Sequence, residues 1–243
     1  MKDFALGYLQ PDCHADPANN CQYGVHSLYL ETPTLQLCKA TLRGLKNRYK
    51  LRMRFYDLSP ESPVFLEVKR RENDVILKSR VPVRRAGADH VLRGYWPRAD
   101  DLLDRSPKSQ TALTQFCRLR DLVGATGRCF VSYQREAYVT PNDDSLRLTF
   151  DRRIHGITYR GQKALAMDGP SIYPPVGGVV LEIKFTDHFP RWVADMVRHF
   201  GVERRSMAKY VACVLALRPE VKAFFSHSGA GRQRRPHSLE PAV

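Results

Sequence analysis

The sequence predicts an α+β fold: an antiparallel β-barrel forming a tunnel with a polar, basic lumen, and helices packed outside it. Three observations lead there. Six short stretches alternate apolar and charged side chains with the period of two that a strand imposes. Their charged faces are mostly cationic. The segments with helical spacing are amphipathic and need an apolar surface to cover.

Val64–Arg80 shows the pattern most clearly. Phe65, Glu67, Lys69 and Arg71 share one face, and Val64, Leu66 and Val68 the other. Glu72-Asn73-Asp74 supplies turn residues, and Lys78 and Arg80 then face away from Leu77 and Val81. Taken in chain order, residues 1–24 read as an irregular start, with a Pro-, Asp- and Asn-rich loop over 12–20. Val25–Glu31 is a strand, with Ser27, Tyr29 and Glu31 on one side. Thr32-Pro33-Thr34 ends it and caps a short helix across Leu35–Leu45. Tyr49–Asp57 is a strand placing Arg52, Arg54 and Tyr56 together.

Arg84–Arg98 is mixed. Ala99–Leu122 has helical spacing, with Ser106-Pro107 breaking it or starting a helix. Arg128–Val139 is a strand with Tyr133 and Arg135 on one face. Leu146–Asp151 aligns Arg147, Thr149 and Asp151, and Arg153–Arg160 reads as a further short strand. Val179–Phe185 sets Glu182 and Lys184 against Leu181, Ile183 and Phe185. Phe189–Phe200 and Ser206–Leu217 are helical, Ser206 being a plausible cap. The domain is therefore expected over 25–220, with a disordered basic tail over 221–243.

With 243 residues the chain can bury a sizeable core. Its 39 Lys+Arg against 25 Asp+Glu give a formal charge of +14. That balance points to an acidic partner: nucleic acid, a membrane surface or a phosphate-rich ligand. The alternative is a basic surface with no partner. The six cysteines form no C-x-x-C pair and are expected as buried free thiols in a reducing cytoplasm. Cys13, His14 and Cys21 fit no zinc template. No apolar run approaches 18 residues, so no transmembrane helix is expected.

Across the charged faces, Arg52, Arg54, Lys69, Arg71, Lys78, Arg80, Arg135, Arg147 and Lys184 stand against Glu67, Asp151 and Glu182. An ordinary solvated face mixes signs. If helices cover the outside, this face turns inward, and burying unpaired charge costs several kcal/mol per ion. The lumen must then hold water and anions, and phosphate suits Arg and Lys. The carboxylates become candidates for a divalent metal, which takes oxygen ligands. An open sheet with a solvated basic face is the competing layout. Nucleic acid is not expected, because only Tyr29, Tyr56 and Tyr133 interleave with the cations.

SLYLETPTLQL, KLRMRFYD, PVFLEVKRR, VILKSR, VSYQREAYV, LRLTFDRRI, VVLEIKF and the late AKY, in that order, resemble the VTC (vacuolar transporter chaperone) domain over about residues 25–215. That family belongs to the triphosphate tunnel metalloenzymes, related to CYTH phosphatases. The resemblance implies a tunnel that binds triphosphate. In eukaryotic members it also implies polymerisation of inorganic polyphosphate from the ATP γ-phosphate with Mn2+ or Mg2+.

By position, Arg52 and Arg54 resemble the paired tunnel arginines, and Lys69 and Lys78, with Arg80 beside them, the basic residues of the hairpin. Tyr133, Arg135 and Arg147 match the next strands, with Lys184 at the last. Glu182 resembles the metal-binding glutamate. Lys209 and Tyr210 match a late lysine–tyrosine pair, with Ser206 close by. Arg52, Arg54, Lys69, Arg135, Arg147 and Lys209 are thus expected to be catalytic. Lys78, Arg80, Tyr133, Lys184, Ser206 and Tyr210 are expected to bind substrate, and Glu182 metal.

Two departures stand out. The family opens with a basic strand and a helix before the SLYLE-like strand, and the first 24 residues here show no such strand. Either the start is truncated or the barrel is open along one edge. Ala208 replaces the usual serine before the late lysine. Three readings follow: polyphosphate synthesis from ATP, hydrolysis of tripolyphosphate or a nucleoside triphosphate, and a non-catalytic polyphosphate sensor. Eukaryotic members add membrane spans, so a membrane partner is expected in another chain.

Overall fold

One antiparallel sheet organises the chain. The computed structural model describes residues 1–12, 21–143 and 145–221; the tail expected over 221–243 and the candidate ligands Cys13 and His14 lie almost wholly outside them. The strands are β1 (Gln10–Pro11), β2 (Gln22–Glu31), β3 (Arg48–Phe55), β4 (Val64–Glu72), β5 (Val75–Val83), β6 (Thr126–Val139), β7 (Leu146–Thr158) and β8 (Val180–Phe185). They pair in the order β5-β4-β3-β2-β6-β7-β8, and β1 pairs with the end of β6. Among the described residues nothing pairs β5 with β8, so the sheet is a half-barrel open along one side.

The sheet is strongly curled. Five strand spacings separate β4 from β8, about 24 Å if flat. Yet Lys69 on β4 lies within electrostatic reach of Glu182 and Lys184 on β8. The charged faces therefore look at one another across a concave surface.

The helices are α1 (Lys2–Leu6), α2 (Gln36–Leu42), α3 (Arg85–Leu92), α4 (Pro107–Leu122), α5 (Arg191–His199) and α6 (Lys209–Leu217). The convex face is covered in two places. Leu51, Met53, Phe55, Leu66 and Val81 pack with Ala88 and Val91 of α3 and Phe116 and Cys117 of α4. At the other end Leu146, Leu148 and Phe150 pack with Ala5 of α1 and Val193 and Met196 of α5. Arg120 of α4 donates to the carbonyls of Val91, Gly94 and Tyr95, so its buried guanidinium satisfies the C-terminal end of α3.

The third cluster lies on the concave face. Val25, Tyr29, Cys129, Val131 and Ile154 point inward and are covered by Tyr210, Val211, Cys213 and Val214 of α6, with Cys38 of α2. Gly156 permits this approach, because a Cβ there would stand 2.9 Å from the Cys213 Cβ. The Glu31 carboxylate accepts from the amides of Thr32, Leu37 and Cys38, and the Thr32 hydroxyl accepts from Gln36 N at 2.9 Å. The ETPT stretch thus caps α2 from two directions.

Several expectations need correction. Residues 1–24 are not wholly irregular: they hold α1, β1 and the start of β2. Arg84–Arg98 contains α3, whereas Ala99–Asp101 is a single 3-10 turn and the helix proper starts at Pro107, capped by Ser106. Arg153–Arg160 is not a separate strand. β7 runs on through it, with Arg153 at φ 52° where the register against β6 shifts. That bulge turns Ile154 inward beneath α6. α6 begins at Lys209 with Ala208 at its cap, so exposed Ser206 caps nothing. Cys21 is disulfide-bonded, against the expectation of six free thiols. Cys38, Cys117, Cys129 and Cys213 are free and buried. Burial pushes the Cys38 and Cys213 thiols up to about 12. Among the described residues no helix is long and apolar enough to cross a membrane.

Gly156→Ala is expected to destabilise the fold by about 1–3 kcal/mol through overpacking. Because the clash is with α6, amide hydrogen exchange should rise in 209–217 while α4 keeps its protection. Equal loosening of both helices would contradict the packing described.

Candidate anion-binding channel

Alternation within each strand decides what faces the channel, and cross-strand register decides what meets. Glu67 lies opposite Arg52 on β3 and Arg80 on β5. Its carboxylate is fully buried, accepts from Arg52 Nε at 2.6 Å, and forms ion pairs with Arg52 Nη2 at 2.6 Å, Lys78 Nζ at 3.1 Å and Arg80 Nε at 3.3 Å. Burial works to raise this carboxyl, but Arg52, Arg54 and Lys78 outweigh it and hold it down at about 2. Arg52 also donates to Tyr29 Oη at 3.1 Å.

A second knot lies across the channel. Arg135 grips buried Asp151 with two bonds, at 2.7 and 2.8 Å. Lys209, at the first turn of α6, reaches Asp151 at 2.7 Å and Glu182 at 2.5 Å. Glu182 is likewise held at about 2: its burial is outweighed by Lys209 and then Arg135. Arg135 and Lys209 both lie 5.2 Å from the centre of the Tyr133 ring.

Other cations form no ion pair among the described residues, although Lys69 and Lys184 feel the Glu182 charge at a distance. Arg54 is buried and donates only to neutral oxygens, Ser27 Oγ at 3.2 Å and Tyr133 Oη at 3.3 Å. Desolvation lowers Lys50, Lys69 and Lys184 below the usual lysine range. Like-charge neighbours add to it: Lys69, Arg48 and Arg52 at Lys50, and Arg135, Lys69 and Arg147 at Lys184. Each would gain from an anion that returns it toward its ordinary value.

The structure brings together most residues singled out from the sequence. Arg52, Arg54, Lys78, Arg80, Tyr133, Arg135, Lys184 and Lys209 face one surface, and Lys69 stands near its far end. Arg147 is at the opposite end, paired with Asp12 at 2.6 Å. Tyr210 is buried between α6 and the concave face, stacked on Tyr29 at 4.2 Å. Arg71 turns to Asp74 and the Asn73 carbonyl. Ser206 borders a cavity of about 540 Å³ beside Arg48, Lys50, Lys69 and Arg71.

Lys50 was missed as a site residue, although its spacing from Arg52 already placed it on that face. Thr149 was assigned to the correct face but given no role. Its hydroxyl is buried without a hydrogen-bond partner, on the strand position opposite Glu182.

The carboxylates were also candidates for metal. Glu67 and Asp151 have fully buried side chains, while that of Glu182 is 34% exposed. No group of three or more His, Cys, Asp or Glu gathers among the described residues. The oxygen donors on this wall are Glu182, whose two oxygens face Lys209 and Arg135, and the Thr149 hydroxyl.

A curled antiparallel half-barrel whose concave wall is cationic and braced by a few carboxylates defines a tunnel-type, CYTH-like fold. The family model for the VTC domain matches residues 1–218, and the chain belongs to the VTC domain family. Membership ties it to polyphosphate-related function. No curated protein matches it. Among solved structures it is similar to the PH1819 protein from Pyrococcus horikoshii OT3, with 14% identity, 89% of this chain and 92% of that one covered, and a TM-score of 0.45.

Glu67→Gln is expected to lower stability by about 3 kcal/mol, since it leaves Arg52, Lys78 and Arg80 without their shared anion. Adding tripolyphosphate should restore part of the loss. Glu67 and Glu182 titrate below their ordinary 4.5 when folded. Their contribution is therefore complete above pH 4.5 and disappears as pH falls toward 2. Unfolding midpoints measured from pH 6 down to 2 should fall across that window, and less steeply in Glu67→Gln.

Proposed function

We propose that this chain binds triphosphate and polyphosphate along its concave face and, with a divalent metal, transfers the ATP γ-phosphate to a growing polyphosphate chain. The observation that carries the reading is the set of inward-facing cations that form no ion pair among the described residues: Arg54, Lys50, Lys69 and Lys184. Crowded like charges are tolerable where a multivalent anion lies among them.

Phosphoryl transfer asks mainly for positioning and charge stabilisation. Arg52 and Arg135 are fixed by Glu67 and Asp151, so their remaining donors are oriented before a ligand arrives. Arg54 and Lys69 would neutralise oxygens of the bound phosphates. Lys209 would follow charge toward the transferring group, because α6 carries it rigidly to the channel. A terminal oxygen of the acceptor chain would form the new bond to the γ-phosphorus as the bond to the β–γ bridging oxygen breaks, releasing ADP. No side-chain nucleophile is required. Glu182, with Thr149 beside it, would hold the metal, which supplies further neutralisation of phosphate charge when bound.

Incubation with ATP and Mn2+ tests the reading: lengthening polyphosphate is expected. Free phosphate instead would favour hydrolysis, and binding without turnover a sensor. Arg54→Ala should weaken tripolyphosphate about tenfold or more, because it removes charge-assisted bonds without orphaning a carboxylate. If that variant binds tripolyphosphate as tightly as the parent chain, the channel is not the site.

A further inference from the structure

The two ends of the channel are chemically unlike. At one end stand Arg48, Lys50, Lys69 and Arg71 around the 540 Å³ cavity. The one aromatic lining it, Tyr49, packs against the outer core. At the other end three half-buried rings form a row. Tyr23 and Tyr56 have centroids 6.0 Å apart at 62°, and Tyr56 and Phe65 are 6.0 Å apart at 71°. Arg80 lies 3.4 Å over the Phe65 ring and donates to Tyr56 Oη at 3.3 Å. Arg147, held by Asp12, donates to Tyr23 Oη at 3.4 Å.

This row begins beside Arg54. Phe65 is the cross-strand partner of Arg54, and Tyr56 follows Arg54 by two residues on the same face. The spacing along the strand is about 7 Å, a distance a ribose can bridge. Arg80 belongs to both regions, with its guanidinium between Glu67 and the rings. Channel polarity therefore changes from charge to stacking surface within one residue pair.

We propose that the Tyr23–Tyr56–Phe65 row, with Arg80, is the subsite for the base of a nucleoside triphosphate donor. The inference rests on the triphosphate reading above and adds a direction to it. The nucleoside enters at the aromatic end, and the phosphate chain extends toward Lys50 and Lys69. Rings and a guanidinium offer π-faces, which every base can use. The subsite should therefore separate nucleotides from inorganic triphosphate more sharply than it separates one base from another.

The test is calorimetric titration of the full chain with β,γ-imido-ATP and with tripolyphosphate. Tyr56→Ala is expected to weaken the nucleotide about tenfold, the value of one base–aromatic stack. Tripolyphosphate should stay within about twofold. Tyr56→Phe keeps the ring and should keep nucleotide affinity, which guards against a general loss of structure. Loss of the same factor for both ligands in Tyr56→Ala, or no loss for the nucleotide, overturns the subsite alone. A parent chain that binds neither ligand overturns the triphosphate reading and the subsite with it.

Discussion

Repulsion among cations on a concave surface is the constraint the structure has to satisfy. Curling the sheet brings β4 and β8 into electrostatic reach, so Lys69 and Lys184 oppose each other, while alternation along β3 already sets Lys50, Arg52 and Arg54 side by side. Two fully buried carboxylates make the arrangement possible. Glu67 is shared by Arg52, Lys78 and Arg80, and Asp151 by Arg135 and Lys209. Each bridges neighbouring elements, so these charges lock β3 to β5 and α6 to β7. Arg54, Lys50, Lys69 and Lys184 stay outside these ion pairs.

α6 gives the channel its shape. The other long helices cover the convex face, where apolar alternation leaves large side chains to bury. α6 instead lies on the concave face and fills its end with Tyr210, Val211, Cys213 and Val214. The Tyr29–Tyr210 stack joins that helix to the wall carrying Arg52, since Tyr29 Oη accepts from the same guanidinium. Burial would raise the Tyr29 hydroxyl, yet Arg52, Arg54 and Lys50 bring it below the usual tyrosine range. The packing of α6 and the electrostatics of the channel are therefore one problem. Lys209 reaches the site because Gly156 lets the helix approach.

The ends of the channel divide the work that the middle shares. Arg48, Lys50, Lys69 and Arg71 gather at one end, and the Tyr23, Tyr56 and Phe65 rings at the other. Both gradients come from single strands: β3 runs from Arg48 and Lys50 through Arg52 and Arg54 to Tyr56 just beyond its end. One strand's inward face thus runs from cations to an aromatic ring.

Alternation by itself determined which side chains share a wall. It placed Arg52, Arg54 and Tyr56 together, aligned Arg147, Thr149 and Asp151, and set Leu51, Met53 and Leu66 in the core, because a period of two is a local property of an extended chain. The ordered motifs likewise marked the family. Which walls meet was decided only by the tertiary structure. The Glu67 and Asp151 knots depend on cross-strand register, and the Lys209–Glu182 pair joins residues 27 positions apart through the docking of α6. Tyr210 shows the limit: its neighbour Lys209 faces the channel, but helical geometry turns the next side chain about 100° and buries it against Tyr29. The bulge at Arg153 and the start of α6 at Lys209 also escaped sequence reading, since each follows from how distant surfaces pack and not from local pattern.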